Sequence, residues 1–249
     1  MGNLKDKVAF VTGAGSGIGK AIALLYAKEG AKVVVSDIND AHGQSVTDEI
    51  QASGGEAIYV RANTAVPQEV EALVAKTVER YGRLDIACNN AGIGGAVNLG
   101  AEQSIEDWKT IIDINLNGVF YGCKYATAQM LKNGGGAIVN VGSIHSITAV
   151  PNSVGYAAAK HGVLGLTRNF GVEYAAQNIR VNAVGPGYID TPLLSVLDEE
   201  VHKMLVTKHP IGRLGKAEEV ANLVLFLSLD SSTFINGGYY TIDGGYTAV

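Results

Sequence analysis

The segment TGAGSGIG at residues 12–19 is the feature that most constrains how this chain can fold. It directly follows the apolar run VAFV at 8–11 and leads into a stretch with helical periodicity that Gly30 closes. A buried strand that passes into a helix through glycines brings bare backbone and the helix N-terminus to one point. Such a turn favours an anion such as a pyrophosphate, although any tight strand–helix connection also uses glycine.

Apolar runs and helical patterns alternate along the rest of the chain. Strands that are apolar on both faces and alternate with helices indicate a parallel sheet covered on both sides. We therefore predict an α/β fold, a Rossmann-type doubly wound parallel sheet of about seven strands with helices on both faces, in a single domain over residues 1–249. The predicted strands are 8–13, 32–37, 57–60, 84–90, 136–143, 179–187 and 239–245, and the predicted helices are 17–29, 40–52, 67–81, a long one starting near Ser104, 153–176 and 217–229.

Composition narrows the range of partners. Hydrophobic residues make up 47% of the 249 residues and charged residues 17%, which favours a large core over disorder. A formal net charge of −5 argues against a nucleic-acid or membrane partner, because both need a basic face. The N-terminus has no apolar signal core, and Cys88 and Cys123 have no CxxC or histidine cluster around them. We expect a cytoplasmic protein with two free thiols and no metal site.

Asp37 ends the second predicted strand, 20 residues after Gly17. A carboxylate at this place can bind both hydroxyls of an adenosine ribose and would repel a 2′-phosphate. Neither position 36 nor position 38 holds Arg or Lys, so we expect NAD(H) rather than NADP(H). The alternative is that Asp37 only caps the following helix.

The stretch YAAAK at 156–160 places a phenol and an ammonium one helical turn apart, on one face. Taken alone, the stretch is better explained by an exposed tyrosine–lysine pair on a solvated helix. The unusual motifs of the chain nevertheless follow predicted strands. The carboxyl ends of parallel strands form the ligand-binding edge of such sheets, so we expect these motifs to lie together at that edge.

Several motifs together give the chain a resemblance to the short-chain dehydrogenase/reductase family, in its single-domain branch. The family pattern TGxxxGxG is present at Thr12, Gly13, Gly17 and Gly19. The other shared features are NNAG at 89–92, Asn115, Ser143 placed 13 residues before Tyr156, Lys160, PG at 186–187, Thr191 and DGG at 243–245. The resemblance extends almost from end to end.

The resemblance implies a catalytic set of Asn115, Ser143, Tyr156 and Lys160. Tyr156 is expected to act as acid in ketone reduction and as base in alcohol oxidation, with Lys160 lowering its pKa and binding the nicotinamide ribose. Ser143 would donate to the substrate oxygen. Asn115 would bend its helix and hold a water that relays protons to Lys160; the alternative is an exposed polar residue on a helix.

The resemblance also implies the cofactor contacts. At position 63 the family usually has Asp, whereas this chain has Asn63, whose uncharged oxygen is expected to anchor adenine more weakly. The expected contacts besides Tyr156 and Lys160 are Gly13, Ser16, Gly17, Ile18, Gly19, Asp37, Ile38, Asn63, Thr64, Asn90, Ala91, Gly92, Pro186, Gly187, Ile189 and Thr191.

Residues 188–214 correspond to the mobile substrate flap of the family. Its leucines would supply an apolar underside, although ordinary helix packing explains them as well. His145 is expected in the pocket wall, with a role as second acid as the alternative. The predicted substrate contacts are Ser143, His145, Val150, Asn152, Tyr156, Tyr188, Leu193 and Leu205.

No Arg or Lys is evident near the predicted pocket positions, which favours a small neutral ketone or secondary alcohol as substrate. A sugar or polyol dehydrogenase and a catalytically silent dinucleotide-sensing protein remain alternatives, while acyl-carrier-protein ketoacyl reduction and nucleotide-sugar epimerisation fit less well. The small residues of the Tyr156 helix allow close helix packing. In the family this helix contributes to a homotetramer.

Overall fold

The computed structural model describes residues 2–192, 194 and 198–249. Seven strands form one parallel sheet in the order β3-β2-β1-β4-β5-β6-β9, which confirms the predicted doubly wound fold. Its strands are β1 (Val8–Thr12), β2 (Lys32–Asp37), β3 (Glu56–Arg61), β4 (Ile86–Asn89), β5 (Gly136–Val141), β6 (Ile179–Pro186) and β9 (Tyr239–Ile242). The two-residue strands β7 (Ile189–Asp190) and β8 (Gly215–Lys216) pair only with each other in the described chain.

Helices cover both faces of the sheet. They are α1 (Gly17–Lys28), α2 (Asp40–Ala52), α3 (Pro67–Tyr81), α4 (Ile105–Ile112), α5 (Gly118–Asn133), α6 (Val154–Tyr174), α7 (Glu199–Thr207) and α8 (Ala217–Ser228). Helices α1, α2 and α8 pack on one face, and α3, α5 and α6 pack on the other.

The two cores explain why the strands carry no polar alternation. In β2, Val33 and Val35 belong to the core under α1 and α8, whereas Val34 belongs to the core under α3 and α5. All three are fully buried, and each such side chain contributes about 1.5–3 kcal/mol relative to exposure. A strand buried on both faces has to be continuously apolar.

The long helix predicted from Ser104 is divided into three parts. Ser104 caps α4 by accepting from Asp107 N, and a π-helical turn over Asp113–Asn117 then separates α4 from α5. A π turn inserts one residue into the helix and redirects the side chains it carries. Its cause lies in the contacts of Asn115, described below.

The last strand is shorter than predicted, ending at Ile242 instead of 245. Gly244 and Gly245 have φ angles of +58° and +91°, which turn the chain away from the sheet. The Asp243 carboxylate accepts from Gly245 N and from Thr247 N and Oγ1. This turn folds the C-terminal residues back over the carboxyl edge of the sheet. Among the helices of the described residues, none has the length and apolarity needed to cross a bilayer.

Asp85 carries a testable part of the sheet's stability. Its buried carboxylate accepts from Val8 N at 2.9 Å and takes a double hydrogen bond from Arg83. Asp85→Ala leaves that buried N–H without its acceptor, so we expect the free energy of unfolding to fall by about 2–3 kcal/mol in urea titrations. Glu199→Ala breaks only the exposed pair with Lys203, and serves as a control that changes stability by less than about 0.5 kcal/mol. Equal stability of the two variants would contradict this role.

Candidate active site

The glycine loop after β1 is held by the loop after β4. Asn90 Nδ2 donates to the carbonyls of Thr12 and Gly13, at 2.9 and 3.2 Å. In return Thr12 Oγ1 accepts from the backbone N–H of Asn90 and Ala91. The two loops flank the point where the strand order reverses, between β1 and β4, which is the crevice where doubly wound sheets bind ligands.

The glycine positions of this loop tolerate no side chain. A Cβ at Gly19 would lie 2.1 Å from Gly13 O, and one at Gly13 would lie 2.8 Å from Ala91 Cα. Gly13 and Gly17 have φ angles of +62° and +51°. Ser16, the residue before α1, makes no side-chain cap to the helix within the described residues. The first turn of α1 therefore offers N–H donors beside bare backbone, which fits the pyrophosphate of a dinucleotide.

Asp37 is fixed at the edge of this cradle. Its two carboxylate oxygens accept from Gly15 N at 2.8 Å and Asn39 N at 2.9 Å. The cap of α2 is Asn39, which accepts from His42 N. Asp37 is thus not the helix cap, and the capping alternative for this residue is wrong.

The surroundings of Asp37 also fit an adenosine. Ile38 exposes 55% of its surface beside it, which gives an adenine ring an apolar neighbour. The nearby cation Arg61 lies 3.3 Å from Glu69 and 4.0 Å from Asp40, so carboxylates already neutralise its charge.

Asn63 follows β3 and faces partly into its own loop. Its Oδ1 accepts from Ala65 N at 3.0 Å, and its N–H donates to Glu69 Oε2 at 2.8 Å. One lone pair of the amide oxygen remains for an adenine amino group. Thr64 is buried against Gly118 at the start of α5, where a Cβ on the glycine would lie 2.9 Å from Thr64 Cβ.

Asn115 lies in the π turn and is fully buried. Its Oδ1 accepts from Ile93 N and its Nδ2 donates to Ile93 O, both at 2.8 Å. The alternative of an exposed helix residue is therefore wrong. The same side chain approaches Gly92, where a Cβ would lie 3.1 Å from Asn115 Oδ1 and 3.7 Å from Lys160 Nζ. The π turn thus places an amide against the loop after β4 and near Lys160.

Ser143 follows β5 and begins a short 3₁₀ turn over Ile144–Ser146. Its Oγ accepts from His145 N at 3.2 Å, and its carbonyl accepts from the hydroxyl of Tyr239. Because Oγ accepts from the backbone, its own proton is left to donate elsewhere. The Ser143 side chain also lies near the Tyr156 hydroxyl, where it tends to lower the pKa of that phenol.

Tyr156 and Lys160 lie one turn apart on α6, and the pair is not exposed to solvent as on a solvated helix. Lys160 is 4% exposed, donates to Val141 O at 2.8 Å, and lies 5.7 Å from the centre of the Tyr156 ring. Burial lowers the pKa of Lys160 to about 8. Burial also raises the pKa of Tyr156, so the expected lowering by Lys160 is not found in this structure. The ammonium is bound to a carbonyl and lies over the ring, where burial outweighs its effect.

His145 stands in a wall of aromatic rings. Its ring centroid lies 6.3 Å from that of Tyr156, 5.9 Å from that of Tyr188 and 6.2 Å from that of Tyr246, all edge-on. Nδ1 is 3.1 Å from Thr148 Oγ1, and Nε2 is 3.4 Å from the Tyr188 hydroxyl. Burial lowers the pKa of His145, which keeps the ring neutral at pH 7. Both nitrogens have partners, an arrangement that suits a pocket wall better than a second acid.

The remaining predicted substrate residues differ in position. Val150 and Asn152 lie in the loop before α6, where Asn152 O accepts from Asn98 N and so joins two loops of the rim. Leu205 is buried in α7, in keeping with ordinary helix packing. Leu193 lies outside the described residues. Besides burial of the ring, the charge of Lys208 contributes to the lowered pKa of His145.

The expected contacts after β6 lie at the same edge. Pro186 ends β6, and Ile189 is buried in β7. Thr191 approaches the glycine loop, since a Cβ at Gly17 would lie 3.3 Å from its methyl group. Ile18 packs partly against the core below α1. Within the described residues, the predicted site residues therefore gather along one edge of the sheet, with Leu205 set back in α7, the helix of the predicted flap (called the flap helix below).

Sequence reasoning missed Tyr239, Tyr246 and His209. Tyr239 holds the Ser143 carbonyl, and the ring of His209 lies 5.5 Å from that of Tyr246. No motif marks these residues, because their contacts arise only from the fold of the C-terminal segment. Within the described residues, no cluster of three or more His, Cys, Asp or Glu could hold a metal.

The role of Asn115 in the π turn can be measured directly. Asn115→Ala leaves both the N–H and the carbonyl of Ile93 without side-chain partners, and we expect the free energy of unfolding to fall by about 2–4 kcal/mol. Asn117 lies in the same turn but bonds only the Asp113 carboxylate, on the exposed side. Asn117→Ala is therefore the matched control, with an expected loss below about 1 kcal/mol. Equal melting temperatures of the two variants in calorimetry would show that the hydrogen bonds between Asn115 and Ile93 do not stabilise the fold.

Comparison with known proteins agrees with this geometry. A short-chain dehydrogenase profile described as "Enoyl-(Acyl carrier protein) reductase" matches residues 13–247. Cyclohexanol dehydrogenase of Acinetobacter sp. (strain SE19) is 52% identical over 243 residues, which cover 98% of this chain and 96% of that protein. The 3-oxoacyl-[acyl-carrier-protein] reductase FabG of Thermotoga maritima is 41% identical over 97% of this chain and 98% of its own.

Solved structures agree as well. The crystal structure of levodione reductase superposes with a TM-score of 0.93 at 37% identity, over 99% of both chains. Sequence profile, relatives and fold thus lead to one conclusion: this chain belongs to the short-chain dehydrogenase/reductase family.

Proposed function

We propose that the protein is an NAD(H)-dependent oxidoreductase that interconverts a small secondary alcohol and its ketone. The observation that carries the proposal is the placement of the Ser143 side chain near the Tyr156 phenol, with Lys160 one helical turn away, on the same edge as the glycine cradle. A phenol that can exchange a proton, beside a hydroxyl donor and a buried cation, suits chemistry at a carbonyl oxygen.

Each residue has a defined part in the proposed reaction. In oxidation, the Tyr156 phenolate takes the alcohol proton; in reduction, the phenol returns a proton to the substrate oxygen. Ser143 donates to that oxygen and stabilises the negative charge that develops there. When bound, the nicotinamide takes hydride from the alcohol carbon or gives it to the ketone carbon. Lys160 binds the nicotinamide ribose, and Asn115 orients a water that exchanges protons with Lys160.

NAD(H) is proposed over NADP(H) because of Asp37. Its carboxylate is held in place by two backbone N–H groups, and Arg61 is already paired with acids. A 2′-phosphate would meet a fixed negative charge without a free cation from Arg61 to offset it. The residues proposed to hold the dinucleotide are those predicted from the sequence, from the glycine loop to Thr191.

A cyclic secondary alcohol is the proposed substrate type. The 52% identical relative is named for cyclohexanol, and the rings of His145, Tyr188 and Tyr246 give the pocket an aromatic wall. Residues 188–214 are proposed to cover the substrate and exclude water from the hydride path. A β-ketoacyl thioester is the second candidate, since a FabG protein is 41% identical.

The proposed enzyme is a cytoplasmic homotetramer. Helices α5 and α6 border a groove of about 540 Å³ that contains Phe120, Leu131 and Thr127, whose buried hydroxyl has no partner within the described chain. Phe234 and Val172 are exposed at 103% and 80%. Two separate apolar surfaces suit the two kinds of interface in a D2 assembly. Light scattering after gel filtration tests the assembly.

A substrate panel tests the proposed function. Cyclohexanone, an open-chain ketone, a keto sugar and a β-ketoacyl thioester are compared with NADH by the loss of absorbance at 340 nm. We expect the highest kcat/KM for cyclohexanone. Preference for the thioester would establish the second candidate, and NADH binding without any turnover would leave a dinucleotide-sensing protein.

The pH dependence follows from the raised pKa of Tyr156. The phenol is protonated at neutral pH, so kcat/KM for alcohol oxidation should rise with pH through the alkaline range, whereas reduction gains nothing from deprotonation. Tyr156→Phe should lose about a thousandfold in both directions. A flat pH profile for oxidation, or near-normal activity of the phenylalanine variant, would contradict the assigned acid–base role.

The cofactor preference is tested with Asp37→Asn. The amide keeps an oxygen near Gly15 but removes the charge, so the ratio of kcat/KM for NADH over NADPH should fall at least about tenfold. Asp48→Asn, which removes an exposed acid further along α2, serves as the control and should change that ratio by less than about threefold. An unchanged ratio in Asp37→Asn would show that the carboxylate does not select the cofactor.

A further inference from the structure

His209 is a buried histidine outside the proposed reaction. It is only 3% exposed and lies just beyond α7, between the flap helix and Pro210. Buried polar rings are retained where their nitrogens have partners, so the contacts of His209 indicate what it holds together.

Both ring nitrogens of His209 bind backbone, but on different segments. Nδ1 is 2.9 Å from Leu205 O in the last turn of α7, and Nε2 is 3.2 Å from the N–H of Tyr188. A backbone N–H can only donate and a carbonyl can only accept, so Nε2 is the acceptor and Nδ1 carries the proton. The ring thus connects the flap helix to the first residues after β6.

Gly187 allows the ring to come this close. A Cβ at position 187 would lie 2.8 Å from His209 Nε2. Beyond it, Ile211 N donates to Gly244 O, which attaches the segment after His209 to the C-terminal turn. His209 therefore stands where the flap, the end of β6 and the C-terminus meet.

A continuous row of rings leads from His209 to the proposed acid–base residue. The His209 ring lies 5.8 Å from Tyr188, and the Tyr188 ring lies 5.9 Å from His145, with both pairs edge-on. His145 in turn lies 6.3 Å from Tyr156. Where the backbone of Tyr188 is held decides where its ring stands in this row.

We infer that His209 is a positioning residue for the substrate pocket: it holds the Tyr188 backbone to the flap helix, so that the Tyr188 ring stands against His145 beside Tyr156. The inference rests on the proposed function for its kinetic consequences only. His209 acts through Tyr188 and contacts no reacting atom. Removal of the His209 ring therefore weakens substrate binding more than it slows the chemical step.

Two variants separate the two hydrogen bonds of His209. His209→Gln carries an amide to the Nε2 position and retains an acceptor for Tyr188 N. His209→Asn reaches only the Nδ1 position, so it retains a donor for Leu205 O and loses that acceptor. The two amides have the same chemistry and lose opposite hydrogen bonds. A larger effect of His209→Asn than of His209→Gln is therefore due to the Tyr188 contact and not to the Leu205 contact.

Two measurements are made on wild type and both variants. For His209→Asn we expect KM for cyclohexanol to rise about tenfold while kcat changes less than about threefold. Hydrogen exchange at the Tyr188 amide should be at least about tenfold faster, since its acceptor is gone. For His209→Gln both values should stay within about threefold of wild type.

Equal KM values and equal exchange rates in the two variants would overturn the inference, as would a loss confined to kcat. Loss of cooperative folding in both variants would also overturn it, because His209 would then be a structural core residue. Failure of the proposed function is recognised separately, by a wild-type protein that turns over no alcohol or ketone. In that case the exchange rates alone decide the role of His209.

Discussion

The pairing of β1 with β4 is the constraint on which the rest of the site depends. Parallel strands bring all their carboxyl ends to one edge, and the reversal of strand order between β1 and β4 opens a crevice there. The reciprocal hydrogen bonds of Thr12 and Asn90 fix the two sides of that crevice. Both the glycine cradle and the loop that Asn115 holds are attached to this clamp, so cofactor and reaction chemistry share one frame.

Burial sets the electrostatics of the reacting groups. Lys160 keeps its ammonium inside the protein by donating to Val141 O, yet burial still lowers its pKa to about 8. The same burial raises the pKa of Tyr156 against the effect of Ser143. The protein therefore holds the phenol in its protonated form, and among the described residues only the nearby Ser143 side chain is found to act in the opposite direction. Desolvation outweighs hydrogen bonding at this phenol.

The parallel sheet, the helices on both faces and the edge that collects the motifs were predictable, because continuous apolar runs and glycine turns are local signals. A bend at Asn115 followed from the family resemblance, but its form as a π turn did not, since Asn115 contacts Ile93, 22 residues away. Asp37 and Asn39 are both suitable caps for α2 by residue type, and the structure places the cap at Asn39. Tyr246 and His209 could not be predicted, because tertiary contacts bring them to this region and no spacing along the chain reveals those contacts.

The last strand has a consequence for local unfolding. Tyr239 of β9 binds the Ser143 carbonyl, and Tyr246 stands against His145. Strand β9 pairs with β6 at the margin of the seven-stranded sheet, and an element held on one side opens more readily than a central one. Detachment of β9 alone would take both tyrosines away from Ser143 and His145 while β1 and β4 stay paired. The site can therefore lose its order without unfolding of the whole sheet.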